Sequence, residues 1–225
     1  YKINNTNIKI HNTLTVVSDE ETPLTAIKNS KNSSMWNSIN SQINSSADIS
    51  LSAGNTAVLL VISRMILKTM ESVSKPALAG LWPSKKGVSV VLDLGANVEC
   101  DEKNLVDFSE LGAALYKSIV PAGTPNVALL NIGSEEIKGT EIIKNTYSKL
   151  KKISHYGDFN FNGYIEGNKL MNGDSNVIVT DGFTGNVALK TAEGTAKFIT
   201  DSLKESLSEN IFSKISIIFS YFSLK

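Results

Sequence analysis

Cys100 is the only cysteine in this 225-residue chain. A lone thiol excludes an intrachain disulfide and fits a reducing, cytoplasmic compartment. Histidine is nearly as scarce, with only His11 and His155, so a Cys/His zinc site is not built here. Charge of one sign is also lacking: 22 Lys+Arg stand against 22 Asp+Glu. No global field therefore draws nucleic acid, and no basic stripe interleaved with aromatics appears. No uncharged apolar run is long enough to span a bilayer, and no signal-peptide pattern is present. Neither GxGxxG nor GxxxxGK[ST] occurs, which removes support for a dinucleotide or a P-loop nucleotide. No cofactor or metal is expected.

What is present is one arrangement used four times. A β-branched apolar run breaks into glycine beside Asn, Asp or Ser, and a helical pattern follows. The segments are ISLSAGNT (49–56), VVLDLGANVEC (90–100), ALLNIGSEEIKG (128–139) and VIVTDGFTGNVALK (177–190). Strands alternating with helices predict right-handed βαβ units and a largely parallel sheet. The fold class expected is α/β, with helices covering both faces of the sheet. The four turns would then line one sheet edge, where such folds bind ligands.

Two alternating runs within 7–17 read as short strands, and 22–44 as a helix-leaning stretch. Strands are expected at 47–51, 88–94, 126–131, 158–165 and 176–180, and helices at 56–70, 102–119, 136–152 and 184–207. Residues 74–86, with Pro76 and Pro83, read as a loop. The domain reading is one catalytic α/β domain over 1–204, then a truncated amphipathic segment over 205–225. Both ends read as cut, the mark of a piece of a longer protein.

Each turn has a chemical and a plain structural reading. Gly54 of SAGNT allows close approach to a phosphate at a helix N-terminus, or the segment is an ordinary turn capped by Thr56. Asp93, at the end of an apolar strand, is a base, a ligand-orienting group or an acceptor for turn amides. Cys100 without a histidine partner reads as packing rather than nucleophile. In NIGSEEIKG, Ser134 reads as a cap and Lys138 as a cation one turn into a helix. That lysine either holds an oxyanion or pairs with Glu135 or Glu141 on the surface. TDGFTGN holds more glycine and acid than a turn requires. Glu166 ends another strand, with structural and functional readings in balance.

Taken in order, KNSSM (31–35), SAGNT, DLGANVEC, LLNIGSEEIKG, GYIEGNKL and VTDGFTGNVALKTAEG resemble the bacterial phosphate acyltransferase (PlsX) family of phospholipid synthesis, over about residues 12–210. The family's Met-Gly-Gly-Asp turn and a Tyr-Gly-Gly-containing segment have no counterpart in these residues. Ala57 stands where the family usually has glycine, and Leu81-Trp82-Pro83 is an unusual variant. The resemblance implies a homodimeric enzyme with a Rossmann-like α/β/α sandwich fold, related to phosphotransacetylases. It would move a long acyl chain from acyl carrier protein to orthophosphate, making acyl phosphate for the glycerol-phosphate acyltransferase that acts next.

For that reaction the expected catalytic residues are Lys138, Asp93, Asp181 and Asn186. Phosphate or acyl contacts are expected from Ser52, Gly54, Asn55, Thr56, Asn97, Asn131, Gly182 and Gly185. Phosphate attacks an already activated thioester, so no acyl-enzyme is required. Two alternatives remain: a short-chain phosphotransacetylase using coenzyme A thioesters, and a non-catalytic membrane-interaction fragment. Leu207, Ile211, Phe212, Ile215, Ile218, Phe219 and Phe222 recur at helical spacing. On composition alone this stripe reads as a helix packed into the body or a dimer interface; with the resemblance, it is expected to make a peripheral membrane contact.

Overall fold

The computed structural model describes residues 8–18, 22–154 and 156–208. It divides into two compact units, Tyr1–Leu78 and Ala79–Lys225.

The second unit is built on five strands in the order β1-β2-β5-β3-β4. They are β1 (Gly80–Ser84), β2 (Gly87–Leu92), β3 (Asn126–Leu130), β4 (Asn160–Ile165) and β5 (Val177–Val179). β1 runs antiparallel to β2, and all other pairs are parallel. The central strands have no polar face because layers cover both sides: Val90, Val91, Val127, Leu129, Val177, Ile178 and Val179 are all buried.

α4 (Glu102–Ile119) opens with a capping box between Asp101 and Asn104, and buries Leu105, Phe108 and Ala113. A methyl on its Gly112 would lie 2.5 Å from Val177 Cγ1 and 2.9 Å from Leu92 Cδ2, so α4 presses directly on β2 and β5. α5 (Glu141–Ile153) packs beside it through Ile143, Thr146 and Leu150. The return from β4 to β5 runs the opposite way across the sheet, so right-handedness sends it to the other face. There a 3-10 helix (Gly167–Asn172) and α6 (Gly182–Ser208) share a groove with Trp82. Trp82 pairs in register with Ser89, on the side opposite Val90 and Leu92. The result is the expected α/β/α sandwich with a mostly parallel sheet.

Three expected elements within 47–152 need correction. Residues 80–84 are not loop but an edge strand, because a proline without an N–H is tolerated there. The α5 helix begins at Glu141, not at 136: Gly139 has φ +99°, outside the helical range, and Thr140 accepts the Ile143 amide at 3.3 Å as the true cap. No strand forms at 47–51, where Ile49 and Leu51 are 76% and 88% exposed; an apolar run without a partner strand does not make one.

The first unit holds α1 (Pro23–Asn29), α2 (Ser34–Ile43) and α3 (Thr56–Leu67). Its small core is Met35, Ile39, Val58 and Ile62. Within its described residues, the strands expected at 7–17 reduce to one isolated bridge, Thr15 to Ser33.

Candidate functional site

Three of the four glycine turns leave the C-terminal ends of β2, β3 and β5, and Glu166 leaves that of β4. In parallel order these ends share one edge of the sheet.

The β2 turn is organised by Asp93, which is fully buried. Its Oδ1 accepts from the amides of Gly95 (3.0 Å) and Ala96 (2.8 Å), and its Oδ2 from the Asn97 amide and Asn97 Nδ2, both 2.7 Å. A carboxylate holding that many donors locks residues 94–97. Of the three readings of Asp93, the acceptor for turn amides is the one this geometry displays.

The β5 turn seats on it. Gly182 N donates to Asn97 O at 2.8 Å, and Asn186 Nδ2 donates to Leu94 O at 3.3 Å. A Cβ on Gly182 would stand 2.5 Å from Asn97 O, and one on Gly185 only 1.9 Å from Asp93 O. These two glycines let the first turn of α6 lie directly on the β2 turn. Asp181 caps that helix, accepting from Thr184 N at 2.8 Å and Thr184 Oγ1 at 2.9 Å. Asp93, Asn97, Asp181, Gly182, Gly185 and Asn186 thus form one bonded block. Cys100 is buried beneath it, its Sγ 3.7 Å from Asn97 O.

The β3 turn is a separate piece. Asn131 Nδ2 donates to Lys138 O at 3.1 Å. Lys138 lies in the loop before α5, not within a helix, and its ammonium pairs with Glu135 at 2.9 Å, both about half exposed. The Lys138 hydrogen bond holds the Glu135 carboxyl below its usual range. At the end of β4, Lys169 pairs with Glu166 at 2.8 Å, which raises the lysine. The edge therefore carries two cations, each matched to a carboxylate.

In the first unit, Asn55 rather than Thr56 caps α3, accepting from Ala57 N (3.0 Å) and Val58 N (3.2 Å). Asparagine reaches these amides from the N-cap position, and Thr56 is the first helical residue. Ser52 Oγ accepts from Gly54 N at 3.2 Å. A pocket of about 260 Å³ brings Ser34 and Met35 of KNSSM beside Ser52 and Gly54.

Sequence reasoning did not single out Glu136 and Tyr147. Tyr147 Oη donates to Glu136 Oε1 at 2.6 Å, and Lys151 Nζ lies 3.4 Å from the same oxygen. These bonds, Tyr147's first, lower the Glu136 carboxyl, and the Tyr147 hydroxyl is pushed up to about 12 by that carboxylate. The one available signal is the i,i+4 spacing of Tyr147 and Lys151 on α5. The apolar stripe expected from Leu207 to Phe222 lies outside the residues whose side chains are described. Among the described residues, no helix is long and apolar enough to cross a membrane.

The chain is 57% identical over 217 residues to a phosphate acyltransferase of Pelagibacter ubique, covering 96% of this chain and 65% of the relative. A phosphate acyltransferase of Caulobacter vibrioides is 41% identical over 206 residues, covering 92% and 57%. A solved EutD phosphotransacetylase from Staphylococcus aureus superposes on 62% of this chain and 48% of its own, with a TM-score of 0.49 and 15% identity. The chain thus spans about 57–65% of the length of these curated relatives. Residues 2–225 match the family described as "Fatty acid synthesis protein", and the chain belongs to that family.

Proposed function

We propose that this chain carries the acyl-transfer core of a phosphate acyltransferase, moving a long-chain acyl group from acyl carrier protein to orthophosphate. The observation that carries this reading is the 57% identity, over nearly the whole chain, to a protein named phosphate acyltransferase; the long acyl chain and the carrier protein are the finer part of the proposal. The sheet edge supports it, with its rigid turns and a lysine held by a single exposed carboxylate.

A phosphate oxygen attacks the thioester carbonyl, forming a C–O bond and a tetrahedral oxyanion. Collapse breaks the C–S bond, and the carrier thiolate leaves and takes up a proton. Lys138 exchanges Glu135 for the arriving phosphate, a modest change because exposed pairs contribute little, and opposes the developing charge. Asp93 acts by fixing the Gly95–Asn97 turn, and Asp181 by setting the start of α6. Asn97, Asn131 and Asn186 hold amide dipoles at the same edge, with Gly182 and Gly185 allowing the close seating. A homodimer is supported by α6, where Phe198, Ile199 and Leu203 expose apolar surface within two turns. A cytoplasmic enzyme touching the membrane through 205–225 would deliver acyl phosphate to the next acyltransferase.

Full-length protein should form acyl phosphate from palmitoyl carrier protein and phosphate, and little from acetyl-coenzyme A. The reverse preference would instead assign the short-chain reaction. Lys138→Ala should lower turnover by about 10²-fold, the scale of one lost oxyanion contact, with little change in melting temperature. Unchanged turnover would leave Lys138 a surface ion-pair partner.

A further inference from the structure

The loop that carries Lys138 is tied down twice. One tie is local: Asn131 Nδ2 holds the Lys138 carbonyl, and Gly139, at φ +99°, packs so closely that a Cβ would stand 2.6 Å from Asn131 Oδ1. The other crosses to α5, where Tyr147 Oη reaches Glu136, two residues before Lys138, at 2.6 Å.

That second tie is preset rather than adaptable. The Tyr147 ring lies 5.2 Å from Phe161 and 4.8 Å from Tyr164, centroid to centroid, with Lys151 Nζ 5.6 Å from its centre. Room for the ring comes from the edge strand. Register between β3 and β4 shifts across Val127 and Leu129, placing a bulge at Asn162 and Gly163. Gly163 has φ +81°, and a Cβ there would stand 3.3 Å from Tyr147 Cε2. A ring held on both sides has little freedom to follow the loop, so the loop follows the ring. The short bond to a carboxylate is of the stronger, charge-assisted kind.

We propose that Glu136 and Tyr147 are positioning residues for Lys138: their hydrogen bond fixes where the 133–139 loop stands, and hence where the ammonium meets an anion. This rests on the role given to Lys138 above. Neither side chain touches the reacting atoms.

The test is a double-mutant cycle in the full-length protein, with phosphate as the varied substrate. Tyr147→Phe keeps the ring contacts and removes only the hydroxyl. It should lower kcat/KM for phosphate about tenfold, the value of one hydrogen bond to a charged group. In a Lys138→Ala background the same change should cost less than about twofold, because the two residues act as one unit. Glu136→Ala, which also removes the Lys151 pair, should cost at least as much as Tyr147→Phe, whereas Glu136→Gln, which keeps a neutral acceptor, should cut the loss to about threefold. Amide exchange across 133–139 should quicken in Tyr147→Phe. An equal kinetic loss in both backgrounds, or quicker exchange with unchanged kinetics, overturns the positioning role. Unchanged exchange in Tyr147→Phe overturns it as well. If Lys138→Ala itself has no effect, the function assigned to Lys138 falls first, and the positioning role falls with it.

Discussion

Gly185→Ala and Gly194→Ala make the same substitution in the same helix, and should move stability in opposite directions. At Gly185 the new methyl would stand 1.9 Å from Asp93 O and 2.9 Å from Thr180 Cγ2. The carbonyl belongs to a turn locked by its own aspartate, so it cannot swing aside, and α6 must lift instead. Overpacking of this kind costs about 1–3 kcal/mol. Loss of the Gly182 to Asn97 bond adds roughly 1 kcal/mol. Alanine's helix preference returns at most about 1 kcal/mol. The net is a destabilisation of about 1–3 kcal/mol, or roughly 2–12 °C in Tm for a domain of this size. At Gly194 a Cβ meets nothing within 4 Å, so only the propensity gain of about 0.5–1 kcal/mol remains. Differential scanning fluorimetry and urea titration of the full-length variants would measure both. A Gly185→Ala protein as stable as the wild type would refute the seating of α6 on the Asp93 turn.

Three further outcomes are expected. Cys100→Ser and Cys100→Ala should retain most activity, since phosphate attacks directly and the thiol is buried on Asn97 O; a folded but inactive variant with a trapped thioester on the wild type would overturn direct transfer. Tyr147 binds its proton more tightly in the folded state, so its contribution is full below the ordinary tyrosine value near 10 and is lost as pH rises through about 12. Glu136 has the opposite sign, stabilising above the ordinary glutamate value and fading as pH falls through its lowered one. Ultraviolet titration of tyrosinate in wild type and Tyr147→Phe would check the Tyr147 shift; loss of a tyrosine titrating near 10 would refute it.

Strands β2, β3 and β5 were legible because their apolar runs lack a polar face, and α4 because Asp101 marks its start. β1 was hidden by Pro83 and Gly80, residues that usually break structure but are harmless on an edge. Ser134 followed by Glu135 and Glu136 imitates a helix start, and only Gly139 and Thr140 reveal the later one. The candidate turns were found from their glycines, yet the reason for Gly182 and Gly185 is the backbone of another turn, some ninety residues away in sequence. Glu136 and Tyr147 were out of reach because nothing local announces a contact across eleven residues and a bulged strand.

The two outer strands have a bearing on solubility. Within the described part of the second unit the sheet ends at β1 and β4. Pro83 leaves one position on β1 without an N–H, and the bulge at Asn162 and Gly163 breaks the even spacing of β4. An incoming peptide or unfolded neighbour would find an interrupted row of donors and acceptors along either border. Such borders resist strand addition and the fibrous aggregation that begins with it. Substituting Pro83 with valine would restore the row on β1 and should make the protein more prone to aggregate.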